Sequence, residues 1–343
     1  MLGKPRVTIA QVAREAGVST QTVSRVANNR PDVAPETRQR VQEVIARLGY
    51  QPSAIARSLV SRRTRTLGLI TADFSDYFFT QVIAGAEVEA RQRGYFFMLG
   101  STERNVQDEP EYIRLLTERQ VEGILFARPS TEPDDRHLAG LLREGVPVVT
   151  TAYHLPGEAL TVVDIDNVDG GQRATQCLTE GGHTRIGMIT GSLYWKSVND
   201  RSQGFRQALE SAGLPFRQEY IEVGDWSYES GYDAMVRLLD RAPEITAIFA
   251  QNDRMAIGAI HALRERGRAV PKDVAIVGYD DIPGAAFCHP PLTTMRQPMR
   301  EVGARAAQLL IELIDDPTRE RREVLLKTEL IRRESCDGPG PRR

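Results

Sequence analysis

From Thr66 onward, short apolar runs and stretches of helical period take turns along the chain. TLGLIT, YFFMLG, GILFA, PVVTT, VVDI, RIGMIT, YIEVG, AIFA and VAIVGY are the runs, and most are followed by an amphipathic segment. Runs this uniformly apolar are strands covered on both faces, which is the signature of a parallel sheet flanked by helices. Gly, Pro and Asp clusters such as EGVP and GGHTR mark the boundaries. About ten strands over some 260 residues suit two doubly wound subdomains better than one oversized sheet. The pattern restarts near Asp164 to Asp169, which places the first crossing between lobes there. Ligands of such sheets collect at the carboxyl ends of the strands, so a cleft between the lobes is the expected pocket.

The residues that follow those strands form a consistent chemical set. Asp73, Ser75, Asp76, Phe78 and Phe79 come after TLGLIT, and Lys196, Asn199 and Arg201 after RIGMIT. Asp225 and Trp226 follow YIEVG, Asn252 and Asp253 follow AIFA, and Asp280 and Asp281 follow VAIVGY. Carboxylates, an amide, a guanidinium and flat aromatic faces suit sugar hydroxyls and the apolar face of a sugar ring. Taken singly, Phe78 and Phe79 suit a core equally well, and Asp76 or Asp253 a helix cap. A purine effector is the alternative, because Phe78 and Phe79 can stack on a base. An enzyme using Asp280 and Asp281 as acid and base is a further reading. No activated nucleophile, GxSxG elbow, Walker loop or dinucleotide fingerprint accompanies the pair, so no catalytic residue is assigned.

Residues 7–60 have a different texture. Thr8 and Gln11 make a capping box ahead of a stripe of Ile9, Val12, Ala13 and Ala16. Gly17 ends that helix and Ser19 caps the next, the short break a helix-turn-helix needs. Val23, Val26 and Ala27 face inward on the second helix, while Thr20, Gln21, Ser24, Arg25 and Asn28 face outward. Arginine can donate twice to guanine and glutamine can pair with adenine, so this outer face is suited to base edges. Pro35 opens a third helix, Val41, Val44, Ile45 and Leu48 close the small core, and Gly49 stops it. QPSAIARSLVS then forms a short hinge segment, apolar on one side, with Leu59 placed to act as a wedge between base steps.

Charge separates the two regions. The first 65 residues hold 12 Lys or Arg and 4 Asp or Glu, leaving 32 against 42 for the remainder. A near-neutral total therefore conceals a basic arm, which attracts phosphate backbones, on an acidic body. Three widely spaced cysteines (Cys177, Cys288, Cys336) without a CxxC, and five scattered histidines, argue against disulfides, zinc or any other metal and for a cytoplasmic setting. No cofactor is implied, and no run is long enough to span a membrane.

With these motifs in hand, the chain from about Val7 to Arg333 resembles the LacI/GalR family of bacterial transcription regulators. TIAQVAREAGVSTQTVSRVANN and LGYQPSAIARSLV carry the resemblance in the arm. DFSDYFF, GGHTRIGMITG, RSQGFRQAL, NDRMAIGAI and VPKDVAIVGYDDI carry it in the body. The resemblance implies a repressor acting as a homodimer on a near-palindromic double-stranded DNA operator, with a small-molecule effector, read as a sugar, in a periplasmic-binding-protein-like body. It implies a helix-turn-helix domain over 1–50, a hinge helix and linker over 51–65, and two effector-binding subdomains, 66–166 with 297–326 and 167–296 with 327–343. Base-reading roles carry over to Thr20, Gln21 and Arg25. Further DNA contacts are expected at Thr8, Ser19, Thr22, Ser24, Asn28, Asn29, Ser53, Ala56 and Leu59. Effector contacts carry over to Asp76, Phe78, Phe79, Arg201, Trp226, Asn252 and Asp280. Two departures stand out: Ala34 replaces the usual serine cap before Pro35, and Ala152, beside Tyr153, replaces an aspartate after VPVVTT. RRESCDGPGPRR lacks heptads, so the tetramer-forming helix of the lactose repressor is not expected.

Overall fold

The computed structural model describes residues 7–50, 63–128, 136–152, 155 and 159–336. They fall into two compact units, Met1–Arg65 and Thr66–Arg343.

The first unit is three helices, α1 (Ile9–Ala16), α2 (Thr20–Ala27) and α3 (Pro35–Leu48). The capping box forms as the residue types require: Gln11 N donates to Thr8 Oγ1 at 3.3 Å and Thr8 N to Gln11 Oε1 at 2.8 Å. Gly17 turns the chain at φ 63°, where a side chain would be strained, and Ser19 accepts from Thr22 N at 3.1 Å to start α2. Val12, Ala13, Ala16, Val23, Val26, Val41 and Val44 are buried together, with Ile45 and Leu48 packed on their edge. Ala27, expected inside, is only half-buried. Ala34 has the extended backbone of an N-cap (φ −53°, ψ 139°) but offers no acceptor to α3. Ala34→Ser should therefore stabilise this unit by about 1 kcal/mol, read as a rise in its thermal unfolding midpoint.

The second unit holds two parallel-sheet layers. Its first sheet contains β1 (Thr66–Thr71), β2 (Phe96–Ser101), β3 (Ile124–Ala127), β4 (Val148–Thr151), β5 (Thr161–Ile165) and β11 (Glu323–Leu326), in the order β11-β5-β4-β3-β1-β2. The second contains β6 (Ile186–Thr190), β7 (Ile221–Val223), β8 (Ala247–Ala250), β9 (Ala275–Asp280), β10 (Thr293–Arg296) and β12 (Glu329–Ile331), in the order β12-β10-β9-β8-β6-β7. Only β12 runs antiparallel to its neighbour, β10. The chain passes between sheets three times: after β5, after β10 and between β11 and β12. The described residues hold twelve strands against the about ten expected, the nine apolar runs and three more. The missed ones, β10 to β12, are short and carry Thr, Arg or Glu, so they lack an apolar run.

Around the sheets lie α4 (Tyr77–Gln92), α5 (Glu109–Glu118), α6 (Arg136–Arg143), α7 (Asn167–Glu180), α8 (Lys196–Ser211), α9 (Tyr228–Arg241), α10 (Asp253–Glu265) and α11 (Met299–Asp315). Three of their crossings are made glycine against backbone. A Cβ on Gly85 or Gly303 would lie 1.9 Å from Arg300 O or 1.8 Å from Val82 O, fixing α4 on α11. Gly171 with Gly204 does the same for α7 and α8, and Gly231 with Gly258 for α9 and α10. These contacts draw the helix starts, and the side chains on them, over the carboxyl ends of the strands. Among the described residues no helix is long and apolar enough to cross a membrane, and no group of three or more His, Cys, Asp or Glu is arranged to hold a metal.

Candidate functional site

On the first unit, the helix-turn-helix geometry puts Thr20, Gln21 and Arg25 on the exposed face of α2, with Asn28 and Asn29 beyond it and Thr22 and Ser24 half-buried. Thr8 and Ser19 are exposed but engaged in capping. Asn29 adopts φ 53°, which directs the chain away at the end of α2. Arg25 lies 3.4 Å from Asp32, a partner the sequence reading overlooked. Both side chains are about half exposed, so the pair is worth at most about 1 kcal/mol and can be exchanged for a base or phosphate. Ser53, Ala56 and Leu59 lie outside the described residues.

In the second unit, one cavity of about 560 Å³, part of it open to solvent, lies where the carboxyl ends of the strands of both sheets meet. All seven residues expected to contact an effector line it: Asp76, Phe78, Phe79, Arg201, Trp226, Asn252 and Asp280. Asp76 caps α4 through Phe78 N at 2.9 Å, which fixes both residues at the rim. Phe79 contributes only an edge; it is buried in the first lobe's core and meets Phe78 at 86°. Asn252 caps α10 through Met255 N and turns its amide to Trp226 O at 3.0 Å. Trp226 is thereby held at φ 77°, while Ala152 (φ 58°), from the first lobe, and Asp280 (φ 122°) line the same cavity. Left-handed backbone at three non-glycine residues around one cavity is strain concentrated where a ligand would lie.

Arg201 is the electrostatic centre. Its Nε donates to Asn167 Oδ1 at 2.8 Å and its Nη1 to Gln251 O at 2.6 Å, and its guanidinium stacks 3.7 Å from the Tyr279 ring centre. Gln297 Nε2 donates to Asp280 Oδ1. Desolvation pushes the Asp280 carboxyl up to about 7, against the pull of Arg201 and with the added repulsion of Asp76. Across the cleft, Lys196 Nζ on α8 reaches Asp164 Oδ2 of β5 at 3.1 Å and Asp200 Oδ2 at 2.6 Å. Burial raises Asp164 above the ordinary carboxylate value despite Lys196. For Lys196 burial opposes the charge, but its two acidic partners outweigh it and hold it above the usual lysine value.

The remaining strand-end candidates serve the frame. Asp73 binds Ser75 and Arg104, Asn199 donates to Leu193 O, and Asp253 is buried beneath the cavity, accepting from Thr294 Oγ1 at 2.6 Å and Ile282 N at 2.9 Å. Asp281 is held at 2.7 Å by both Arg296 and Arg333, so it is no acid–base partner of Asp280. The sequence reading missed Asp164, Asn167, Trp195, Ser197 and Gln297 as lining residues. Asn167, Trp195, Ser197 and Gln297 each follow a strand by a few positions, which was the available signal, whereas Asp164 lies within β5 itself.

A helix-turn-helix reader on the same chain as a two-lobed receptor with a central cleft defines a ligand-responsive, DNA-binding transcription regulator. Residues 8–53 match the family described as bacterial regulatory proteins, lacI family, and residues 175–336 match a periplasmic binding protein-like domain. The HTH-type transcriptional regulator CelR of Thermobifida fusca is 40% identical over 340 residues, covering 96% of this chain and 98% of that protein. The repressor PurR of Aliivibrio salmonicida is 37% identical over 330 residues, covering 96% and 98%. Among solved structures, a CelR–cellobiose complex superposes with a TM-score of 0.74 at 38% identity, covering 96% of this chain and 100% of that one. The lac repressor dimer bound to operator and the anti-inducer ONPF gives a TM-score of 0.87 at 28% identity, covering 96% and 99%. The chain belongs to the LacI family of bacterial transcription regulators; its relatives are regulators and not enzymes.

Proposed function

We propose that the protein is a repressor that binds a near-palindromic operator as a homodimer and whose DNA affinity is set by an uncharged sugar in the cleft. The observation that carries the sugar reading is the charge state of the cavity wall. Asp76, Asp164 and Asp280 line it, while Arg201, the one cation lining it among the described residues, is already engaged with Asn167, Gln251 and Tyr279. A phosphate or carboxylate ligand would find no uncommitted cation in that lining, whereas hydroxyl groups find acceptors. A base sandwiched by Phe78 and Phe79 is disfavoured, because the two rings stand edge-on and Phe79 belongs to the core. The likeness to CelR, solved with cellobiose, supports the same reading. For the dimer, support comes from the exposed apolar side chains of the edge strand β2, Phe96 and Leu99, from Phe287, which is 89% exposed, and from the dimeric lac repressor.

The chain's only two tryptophans, Trp195 and Trp226, both line the cavity, so intrinsic fluorescence reports on it directly. Titration with uncharged sugars should change that emission and, at the same concentrations, the mobility of a palindromic operator complex. Sugar phosphates and hypoxanthine should do neither, and a purine that did both would replace the sugar reading. For the reader, Arg25→Ala should weaken binding to the preferred operator by about 1–3 kcal/mol per half-site, while salt-sensitive binding to arbitrary duplex persists. An equal loss on every duplex would make Arg25 a phosphate contact.

A further inference from the structure

We infer that Trp195 is a second stacking platform at the mouth of the cleft, which makes the effector a two-ring sugar and Trp195 the residue that selects it over a single ring. The inference rests on the sugar reading above and extends it to ligand size. Trp195 occupies the N-cap position of α8 with extended backbone (φ −94°, ψ 128°) and makes no capping hydrogen bond. That position favours Ser, Asp or Asn, so the indole is a handicap to the helix. Its surroundings indicate what it does instead.

The ring of Trp226 sits deep: only 8% of the residue is exposed, and Gly191 packs so closely that a Cβ there would lie 2.1 Å from Cζ2. Its indole Nε1 is buried without a hydrogen-bond partner. Trp195 is only half-buried, with its ring centre 5.0 Å from that of Trp226 and the planes inclined at 42°. Rings with centres 5.0 Å apart leave no room for a pyranose between them, and their 42° inclination keeps both from lying flat on one face of it. They can each receive one ring of a linked pair, the inner on Trp226 and the outer on Trp195.

The mouth is furnished for such a second ring. Arg104 reaches from the opposite lobe to lie 5.7 Å over the Trp195 ring, and it is held there by Asp73 and Asp76 at 3.1 and 3.2 Å. Asp76 faces the gap from the first lobe and Ser197, two residues past Trp195, from the second. Together they supply donors and acceptors for hydroxyls around an indole face, the pairing by which protein sites hold sugars with one apolar side. Tyr194, the residue before Trp195, is 78% exposed.

The test is calorimetric titration of the full-length protein with glucose, cellobiose, maltose, lactose and hypoxanthine. Trp195→Ala, Trp195→Phe and Trp195→Leu are titrated alongside. At least one disaccharide should bind the unaltered protein about tenfold or more tighter than glucose. Trp195→Ala should weaken that disaccharide roughly tenfold, equivalent to about 1.4 kcal/mol. Glucose should change less than about threefold, and Trp195→Phe should recover most of the loss. Should Trp195→Ala not fold, the contrast between the Phe and Leu variants, aromatic against merely apolar, carries the same comparison. Equal weakening of glucose and disaccharide, no weakening of either, or glucose as the tightest ligand would each overturn the second platform while leaving the sugar reading intact. Failure of every sugar, with or without binding of hypoxanthine, would overturn the sugar reading itself.

Discussion

Replacing Arg201 with methionine is expected to lower effector affinity on the order of 100-fold or more. The side chain binds Asn167 at 2.8 Å and Gln251 O at 2.6 Å, and stacks on Tyr279 at 3.7 Å. Methionine fills much of the same volume, so the loss is electrostatic and directional rather than a cavity. Removing one partner of a buried charged cluster costs about 3–5 kcal/mol where the other charge has no escape. Here Asp280 has one. With Arg201 gone, the largest factor that holds its carboxyl down disappears, leaving Gln297 and Arg254, and its value rises beyond about 7. The protonated group is then a donor where the site needs an acceptor, and Asn167 and Gln251 O lose the guanidinium that orders this side of the cavity, so the ligand loses a positioned acceptor. A folded value raised above the unfolded one means that stability falls as pH climbs from about 4 towards the folded value. The unfolding midpoint of the variant should accordingly drop further between pH 6 and 9 than that of the unaltered protein. Calorimetric titration measures the first effect and scanning calorimetry the second. A loss of less than tenfold in ligand affinity would remove Arg201 from the site.

How much of this was legible beforehand follows from the range of each signal. Capping chemistry is local, and Thr8 with Gln11, Ser19 with Thr22, and Gly17 behave as their types require. The strands β1, β3 to β6, β8 and β9 announced themselves because both their faces are covered, which leaves a continuous apolar run, while β2 and β7 are edge strands whose apolar runs stay partly exposed. The late edge strands β11 and β12 carry no such run: β11 reads EVLL with alternate residues exposed, and β12 pairs only with β10. Asp76, Trp226 and Asn252, just past β1, β7 and β8, line the cavity while Asp73 and Asp253 serve the frame, and Gln297 was missed because β10 was missed. Asn167 went unread because its amide oxygen meets partners far along the chain, Arg201 and Tyr279, 34 and 112 positions away. Long-range meetings left no trace in composition or period. Cys177 and Cys336, read as distant, bring their sulfurs within 2.9 Å in the second lobe's core. The reciprocal glycines at three helix crossings are equally silent, since a glycine inside a helix looks like a defect until the neighbouring backbone is known.

That silence yields the sharpest stability contrast in the chain. Gly204→Ala should destabilise the protein by about 2 kcal/mol or more and weaken effector binding with it, whereas Gly140→Ala should stabilise by up to about 1 kcal/mol. Both glycines lie inside helices, α8 and α6, so helix propensity favours alanine at each by about 1 kcal/mol. At Gly140 nothing lies within 4 Å of the added methyl, and propensity decides the sign. At Gly204 the methyl would stand 2.1 Å from Val168 O and 2.5 Å from Gln172 N, both backbone atoms of α7. A side chain in the way could swing aside, but a helix backbone can only retreat as a whole. Overpacking of this kind costs about 1–3 kcal/mol, and more where the neighbour is rigid, so it exceeds the gain in propensity. The retreat also has a functional consequence. Arg201 lies one turn before Gly204 on α8, and Asn167 one turn before Gly171 on α7, with Gly171 itself pressed on Arg201 O. The 2.8 Å bond between Arg201 and Asn167 therefore spans the crossing and lengthens as the helices part. Unfolding midpoints for both variants, with effector titration of Gly204→Ala, would decide the matter. Equal and small effects at the two positions would show that α7 and α8 can slide apart freely, and that the crossing does not hold the arginine in place.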